Sequence, residues 1–178
     1  FRMEPCPKEF IQILNLNNNH WITVSTIGCS TSSKNVYHSM HLKLSNELIK
    51  VVANVMKSSN YEIAVKYCDV QWQKEGSDCG LFAIAFAFSL CCGIDPTTVR
   101  FEQEKMRPHL IKCLETKTCS MFPSNPIRKR AKYVEKCESI SIYCSCRLPN
   151  DGKPMVQCCQ CLNWYHSACL HCKVSDLP

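Results

Sequence analysis

Glycine is scarce in this chain, five in 178 residues, and proline is modest at nine. Collagen-like repeats and low-complexity disordered chains need far more of both, so an ordinary globular fold is expected. Long hydrophobic runs are missing too. The longest, Leu81–Cys92, is interrupted at Ser89 and stays well short of the ~20 apolar residues that cross a bilayer. The N-terminus has no basic stretch, apolar core and small-residue cleavage site of a secretory leader, and Phe1 stands where an initiator Met would, which points to a fragment.

Cysteine, by contrast, is plentiful: sixteen in all, eight of them in the last 42 residues. Close Cys-x-Cys and Cys-x-x-Cys doublets beside a histidine suit metal ligands in a reducing, intracellular compartment better than a disulfide scaffold. The net charge of +6 is also uneven. Half of that excess falls in 123–140, where Arg128, Lys129, Arg130, Lys132 and Lys136 meet only Glu135 and Glu138. The chain therefore divides into an α+β segment over 1–122, a basic linker over 123–140 and a small cysteine-rich module over 141–178, with no internal repeat. The linker has the charge density of a nuclear import signal or a phosphate-contacting strap, and direct nucleic-acid binding is expected only through it. No membrane partner is expected.

Within 1–122, Phe10–Leu16 and Trp21–Ile27 are β-branched and aromatic runs of strand length, separated by the turn signal Asn17-Asn-Asn19. A short strand at Asn35–Tyr37 precedes Ser45, an N-cap for a helix whose apolar residues Leu48, Val51, Val52, Val55 and Met56 recur at helical spacing. Glu62–Gln71 reads as another strand. Gly76-Ser-Asp-Cys79-Gly80 then breaks the chain before Leu81–Cys92, a helix apolar enough to be buried on most faces. Asp95-Pro96 opens a last helical region reaching about Glu115. Trp72, Cys68, Cys91, Cys92 and Cys113 lie in apolar surroundings and are expected in the core.

Cys79 falls in a glycine-flanked turn at the start of a buried helix. Unpaired N–H groups and the positive end of the helix dipole favour the thiolate form of a cysteine so placed. Such a nucleophile needs a base, and His20, at the start of a strand, is a candidate that only the fold can bring near. A small buried hydrophobe is the plainer reading of the same cysteine.

Asn19-His20-Trp21, Val36-Tyr37-His38-Ser39 and Gln73-Lys-Glu-Gly-Ser-Asp-Cys79-Gly80 occur in that order along the chain. The set resembles the Ulp1/SENP family of cysteine proteases acting on ubiquitin-like proteins, over about residues 8–116, in the versions encoded by transposon-like elements. The resemblance implies a papain-like fold of the Ulp1 type, a ubiquitin-like (SUMO-like) protein substrate, Cys79 as nucleophile and His20 as base. It also implies that Gln73 gives a side-chain N–H to the oxyanion and that Trp21 roofs the channel for the substrate's C-terminal Gly-Gly. Asp78 would contact substrate or cap the following helix. One position departs from the pattern, because His38 stands where the family has Asp. A carboxylate there fixes the tautomer of the base and stabilises the imidazolium, and its loss in a Ser-His-Asp enzyme costs about 10⁴ in turnover. Neutral His38 can accept the same hydrogen bond but brings no charge. A helical segment that precedes the family's first strand has no counterpart here.

The tail reads Cys144-x-Cys146, eleven residues, Cys158-x-x-Cys161, four residues, His166, two residues, Cys169. Thiolates with an imidazole suit tetrahedral zinc, and so short a module buries too little to fold without metal or disulfides. Over 141–178 the spacing resembles the PHD finger, whose cross-brace implies one complete site, Cys144, Cys146, His166 and Cys169. A second, begun by Cys158 and Cys161, lacks its last doublet, with Cys159, His171 and Cys172 as local substitutes. In PHD fingers that read trimethyl-lysine on the histone H3 tail, an aromatic cage occupies positions matched here by Tyr143, Met155 and Trp164. That resemblance implies a nuclear chromatin reader, and cation–π attraction would hold the quaternary ammonium. The acidic residue usual between the second cysteine pair is here Cys159. Two functions follow: a thiol protease tethered to a reader, or a protease fold kept as a binding module with the finger carrying the activity. Metal removal is expected to unfold the tail and leave 1–122 folded.

Overall fold

In a computed structural model of the chain, residues 9–29, 33–40, 45–56, 61–74, 76–127, 136–150 and 152–170 are described. The basic run Arg128–Lys132 and the substitutes His171 and Cys172 lie outside them. Strands β1 (Ile11–Leu16) and β2 (His20–Ser25) form an antiparallel hairpin, Leu16 opposite His20. Its turn places Asn17 and Asn18 in the left-handed region, which asparagine tolerates. β3 (Ser33–Tyr37) pairs antiparallel with β2, then crosses through helix α1 (Asn46–Met56) to β4 (Glu62–Cys68), which lies parallel to β3. A parallel crossover needs a connection of about this length. Ser45 caps α1 as its type suggests, its Oγ accepting Leu48 N–H at 3.1 Å.

Helix α2 (Cys79–Cys91) is followed by a short turn at Pro96–Thr98, β5 (Val99–Phe101), α3 (Gln103–Thr116) and β6 (Ser124–Pro126), which pairs with β5. The helical region expected from Asp95 to Glu115 is thus broken by a strand. Asp95 caps only the turn, accepting Thr97 N–H at 2.9 Å. β7 (Lys136–Ser141) adds antiparallel to β4 and completes a five-stranded sheet in the order β1-β2-β3-β4-β7. Residues 136–140, expected in the linker, are therefore sheet. A small ribbon of β8 (Met155–Gln157) and β9 (Trp164–His166) follows. The fold is mixed α and β, and among the described residues no helix is long and apolar enough to cross a membrane.

Strand alternation feeds two cores. Leu14, Leu16, Ile22, Val24, Val36, Ile63, Val65 and Ile140 pack with Leu48 and Val52 of α1. A second cluster gathers Tyr37, Cys68 and Val70 with Leu81, Phe82, Ala85, Phe86 and Leu90 of α2, closed by Phe101, Met106 and Phe122. Burial of α2 on most faces follows from its near-uniform apolarity, although Ile84 stays exposed. Cys68 is buried as expected. Cys91, Cys92 and Trp72 are exposed and Cys113 half-buried, because their apolar neighbours in sequence turn to the core and leave them outward.

Candidate functional site

Three contacts close a ring around one corner of the fold. Trp21, second residue of β2, lies against the start of α2, its Cδ1 3.5 Å from where a Cβ on Gly80 would stand. A residue with a larger side chain at position 80 would push the indole away, which is the local use of this glycine. His20 stacks on His38 with ring centroids 4.3 Å apart and planes inclined by 28°. Ser39, next in chain, binds Gln73 twice: its carbonyl accepts Gln73 N–H at 3.0 Å and its Oγ donates to Gln73 Oε1 at 2.7 Å. The start of β2, the segment after β3, the loop at Gln73 and the N-terminus of α2 are thereby gathered, carrying His20, His38, Gln73 and Cys79. Further down, Thr23 Oγ1 donates to Ala83 O at 2.7 Å in the buried interface and pins β2 to α2.

His20 and Cys79 are each only 6% exposed. Burial lowers the His20 pKa below the usual 6.5, so the ring is neutral at neutral pH. Among the described residues its buried Nε2 has no hydrogen-bond partner. A buried ring nitrogen in that state is costly in a purely structural histidine and useful in a base that is to receive a proton. His38 does not stand in for a triad carboxylate by geometry. The rings meet face to face, not edge to edge, and His38 Nδ1 already accepts Met40 N–H at 3.1 Å. With Nδ1 as acceptor, the neutral ring carries its proton on Nε2, a donor.

Asp78 precedes α2 but caps nothing with its side chain. Its carboxylate is drawn to α3 instead, where Gln103 Nε2 reaches Oδ2 at 2.8 Å and Arg107 Nη2 reaches Oδ1 at 2.7 Å. The cap expected for it is absent, and its oxygens are engaged within the protein. Gln103, Arg107 and Ser39 were not singled out by sequence reasoning. Ser39 sits within the quoted motif, whereas nothing local marks Gln103 or Arg107, which arrive from 25 or more residues away.

In the tail, Cys144, Cys146, His166 and Cys169 bring four ligand atoms within 4.8 Å of one another, a set able to hold a metal ion. β9 ends on His166, the turn Ser167–Cys169 supplies Cys169, and Cys144 adopts a left-handed backbone with φ 64°. The donor chemistry fits a cation. His166 Nε2 lies 3.1 Å from Pro149 O, a pure acceptor, so the proton is on Nε2 and Nδ1 turns its lone pair to Cys146 Sγ at 3.3 Å. Burial and the neighbouring Cys144 and Cys169 push the Cys146 thiol up to about 11. Cys144, where burial is outweighed by N–H groups of Cys146 and His166, falls to about 6. A positive ion among these donors would favour their thiolate forms. Among the described residues no second ligand group forms around Cys158 and Cys161; Cys161 Sγ lies 3.5 Å from Tyr165 Oη. Of the residues expected to form a methyl-lysine cage, Met155 and Trp164 share one face of the β8–β9 ribbon by register, and Cys144 N–H, next in chain to Tyr143, bonds Trp164 O at 2.8 Å.

No family model and no curated protein matches this chain. Two solved structures are similar. One is the SUMO protease Ulp1 with its catalytic cysteine oxidized to a sulfonic acid, with TM-score 0.47, 17% identity, and 62% of this chain and 54% of that one covered. The other is the same protease with that cysteine oxidized to a sulfenic acid, with TM-score 0.46, 17% identity, and coverage of 62% and 53%. The present chain thus spans about half the length of those it matches.

Proposed function

We propose that this chain is a cysteine-type peptidase or isopeptidase acting on the C-terminus of ubiquitin-like, SUMO-like proteins. What carries the reading is the ring of contacts Trp21–Gly80, His20–His38 and Ser39–Gln73, which gathers residues far apart in sequence whose types and order are those of the resemblance. In this reading Cys79 Sγ attacks the substrate's C-terminal glycine carbonyl while His20 Nε2 takes the thiol proton. The proton passes to the departing amine, and a water deprotonated by His20 then releases the acyl group from Cys79. Gln73 steadies the oxyanion, a contribution worth about 10²–10³ in turnover for a donor of this kind. Trp21, 42% exposed beside Gly80, covers the substrate's Gly-Gly end.

The test is a panel of ubiquitin-like proteins carrying a C-terminal vinyl sulfone. One member should label the wild-type protein and fail on Cys79→Ala. Absence of Cys79-dependent labelling by every member would remove the assignment. The stacked His20–His38 pair favours a second reading, a protease-like binding module with little turnover. It would be supported by a ubiquitin-like protein that binds without labelling.

For the tail the proposal is a zinc-binding, PHD-type finger that reads a methylated histone H3 tail in the nucleus, through Tyr143, Met155 and Trp164. When bound, a zinc ion would cross-link the segments bearing Cys144, Cys146, His166 and Cys169. Cys158 and Cys161 would hold a second ion only with help from Cys159 or residues beyond 170. The transposon-derived origin belongs to the same proposal, as does any contact of the basic run Arg128–Lys132 with nucleic acid.

A further inference from the structure

Five residues separate Gln73, the oxyanion donor of the protease reading, from Cys79, its nucleophile, and one of them is Gly76, where an added Cβ would meet nothing within 4 Å. Both ends of this loop are tied to one side chain on α3. Gln103 Oε1 accepts Lys74 N–H at 2.9 Å, and Gln103 Nε2 donates to Asp78 Oδ2 at 2.8 Å. Lys74 directly follows Gln73 and Asp78 directly precedes Cys79, so one planar amide spans the loop from beside the donor to beside the nucleophile. Gln103 is only 9% exposed, which keeps water from competing for either bond. Arg107, one helical turn on, holds the other oxygen of Asp78 at 2.7 Å.

This arrangement has a chemical effect at Cys79. An aspartate before a helix ordinarily caps its N–H groups. Asp78 forms no such bond, and α2 begins without a side-chain cap. The pull of Gln103 and Arg107 keeps an anionic side chain off the helix end where the negative charge of the reaction would develop. Alongside, Gln71 ties the preceding segment to β5, its Nε2 donating to Phe101 O at 3.1 Å and its Oε1 accepting Phe101 N–H at 2.6 Å.

Resting on the protease reading, we propose that Gln103 is a positioning residue that sets Gln73 and Cys79 at their working separation, with Asp78 as its anchor. Gln103→Ala should speed backbone amide exchange over 73–80 while leaving β1 to β4 protected. With a SUMO C-terminal aminomethylcoumarin as probe, kcat should fall on the order of ten- to a hundredfold with KM nearly unchanged, as misplacement of a reacting group predicts. Gln103→Glu keeps the acceptor for Lys74 but turns an oxygen on Asp78, and should lose as much. Adding Asp78→Asn to Gln103→Glu restores a donor–acceptor pair with its direction reversed, and should recover part of kcat. Unchanged exchange over 73–80 in the folded Gln103→Ala protein would overturn the proposal, as would full kcat in it or failure of the paired variant to exceed Gln103→Glu alone. A wild-type protein without Cys79-dependent turnover would sink the protease reading, and the exchange comparison would still decide whether Gln103 holds the loop.

Discussion

His20 and His38 meet as stacked rings, and the consequences are electrostatic. A proton on His20 finds an imidazole face where a carboxylate would offer full charge. His38→Asp should therefore raise turnover, by up to about 10⁴ if the new carboxylate reaches Nδ1 of the base. An unchanged rate in the folded variant would mean that this position does not orient His20. Acid dependence gives a second check. As the proposed base, His20 must be neutral to act, and burial lowers its pKa, so the acid limb of Cys79 labelling should lie below pH 6.5. His38→Asp should move that limb upward, since a neighbouring anion favours the imidazolium. The same shift bears on stability. The unfolded chain takes up this proton near pH 6.5 and the folded chain only lower down, so the contribution of His20 is intact above that pH and is lost as pH falls toward the folded value. A limb above 6.5 in the wild type would contradict the buried, neutral ring.

Elements differed in how far their sequence announced them. β1, β2 and α1 did so through β-branched runs and the Ser45 cap with its apolar spacing, and α2 did through length and uniform apolarity. β7 did not. Lys-Cys-Glu-Ser-Ile-Ser carries one large apolar residue, Ile140, and earns its place only by pairing with β4 from far along the chain. β5 was hidden for the same reason, three residues whose partner is Ser124–Pro126. The corner of the site was legible in residue types and order, because the motif names them. The ties from Gln103 and Arg107 are contacts between polar side chains on an exposed-looking helix, and no periodicity marks those. Two substitutions test the elements. Ile142→Ala, at a position 1% exposed in the α1-side core, should cost about 2–5 kcal/mol of global stability by denaturant titration. A loss confined to the tail would mean that Ile142 does not belong to that core. Gly80→Ala should leave stability level or about 0.5 kcal/mol higher, since a Cβ there makes only ordinary contact at 3.5 Å. Gly80→Val should displace Trp21 and raise KM; equal KM for both variants would separate Trp21 from substrate binding.

Across the whole molecule, the tail and the α/β part are joined more closely than a linker would allow. Ile140 and Ile142 share a core with Val52 and Ile63, Ile142 N–H bonds Tyr61 O at 2.7 Å, Ser139 Oγ donates to Glu62, and the Arg147 guanidinium lies 5.0 Å over the Tyr61 ring. Cys144 stands two residues beyond Ile142, so a metal held there would be tied through a short stretch of chain to the sheet core. Chelation is still expected to leave 1–122 folded, but with less support at its β4–β7 edge. Stripping the metal should lower the thermal midpoint of the sheet and speed amide exchange along β4 as well as in the tail. Exchange along β4 that ignores the chelator would restore the independent-module view. The order β1-β2-β3-β4-β7 also decides what happens when the chain is shortened. A protein cut at residue 135 would present β4 as a bare rim of N–H and C=O groups, with Ile63 and Val65 no longer shielded by Ile140. Unprotected rims of that kind recruit strands from other copies. Trimming away the tail should therefore yield a chain prone to associate with itself along β4, an edge that the charged, serine-bearing β7 covers in the intact protein.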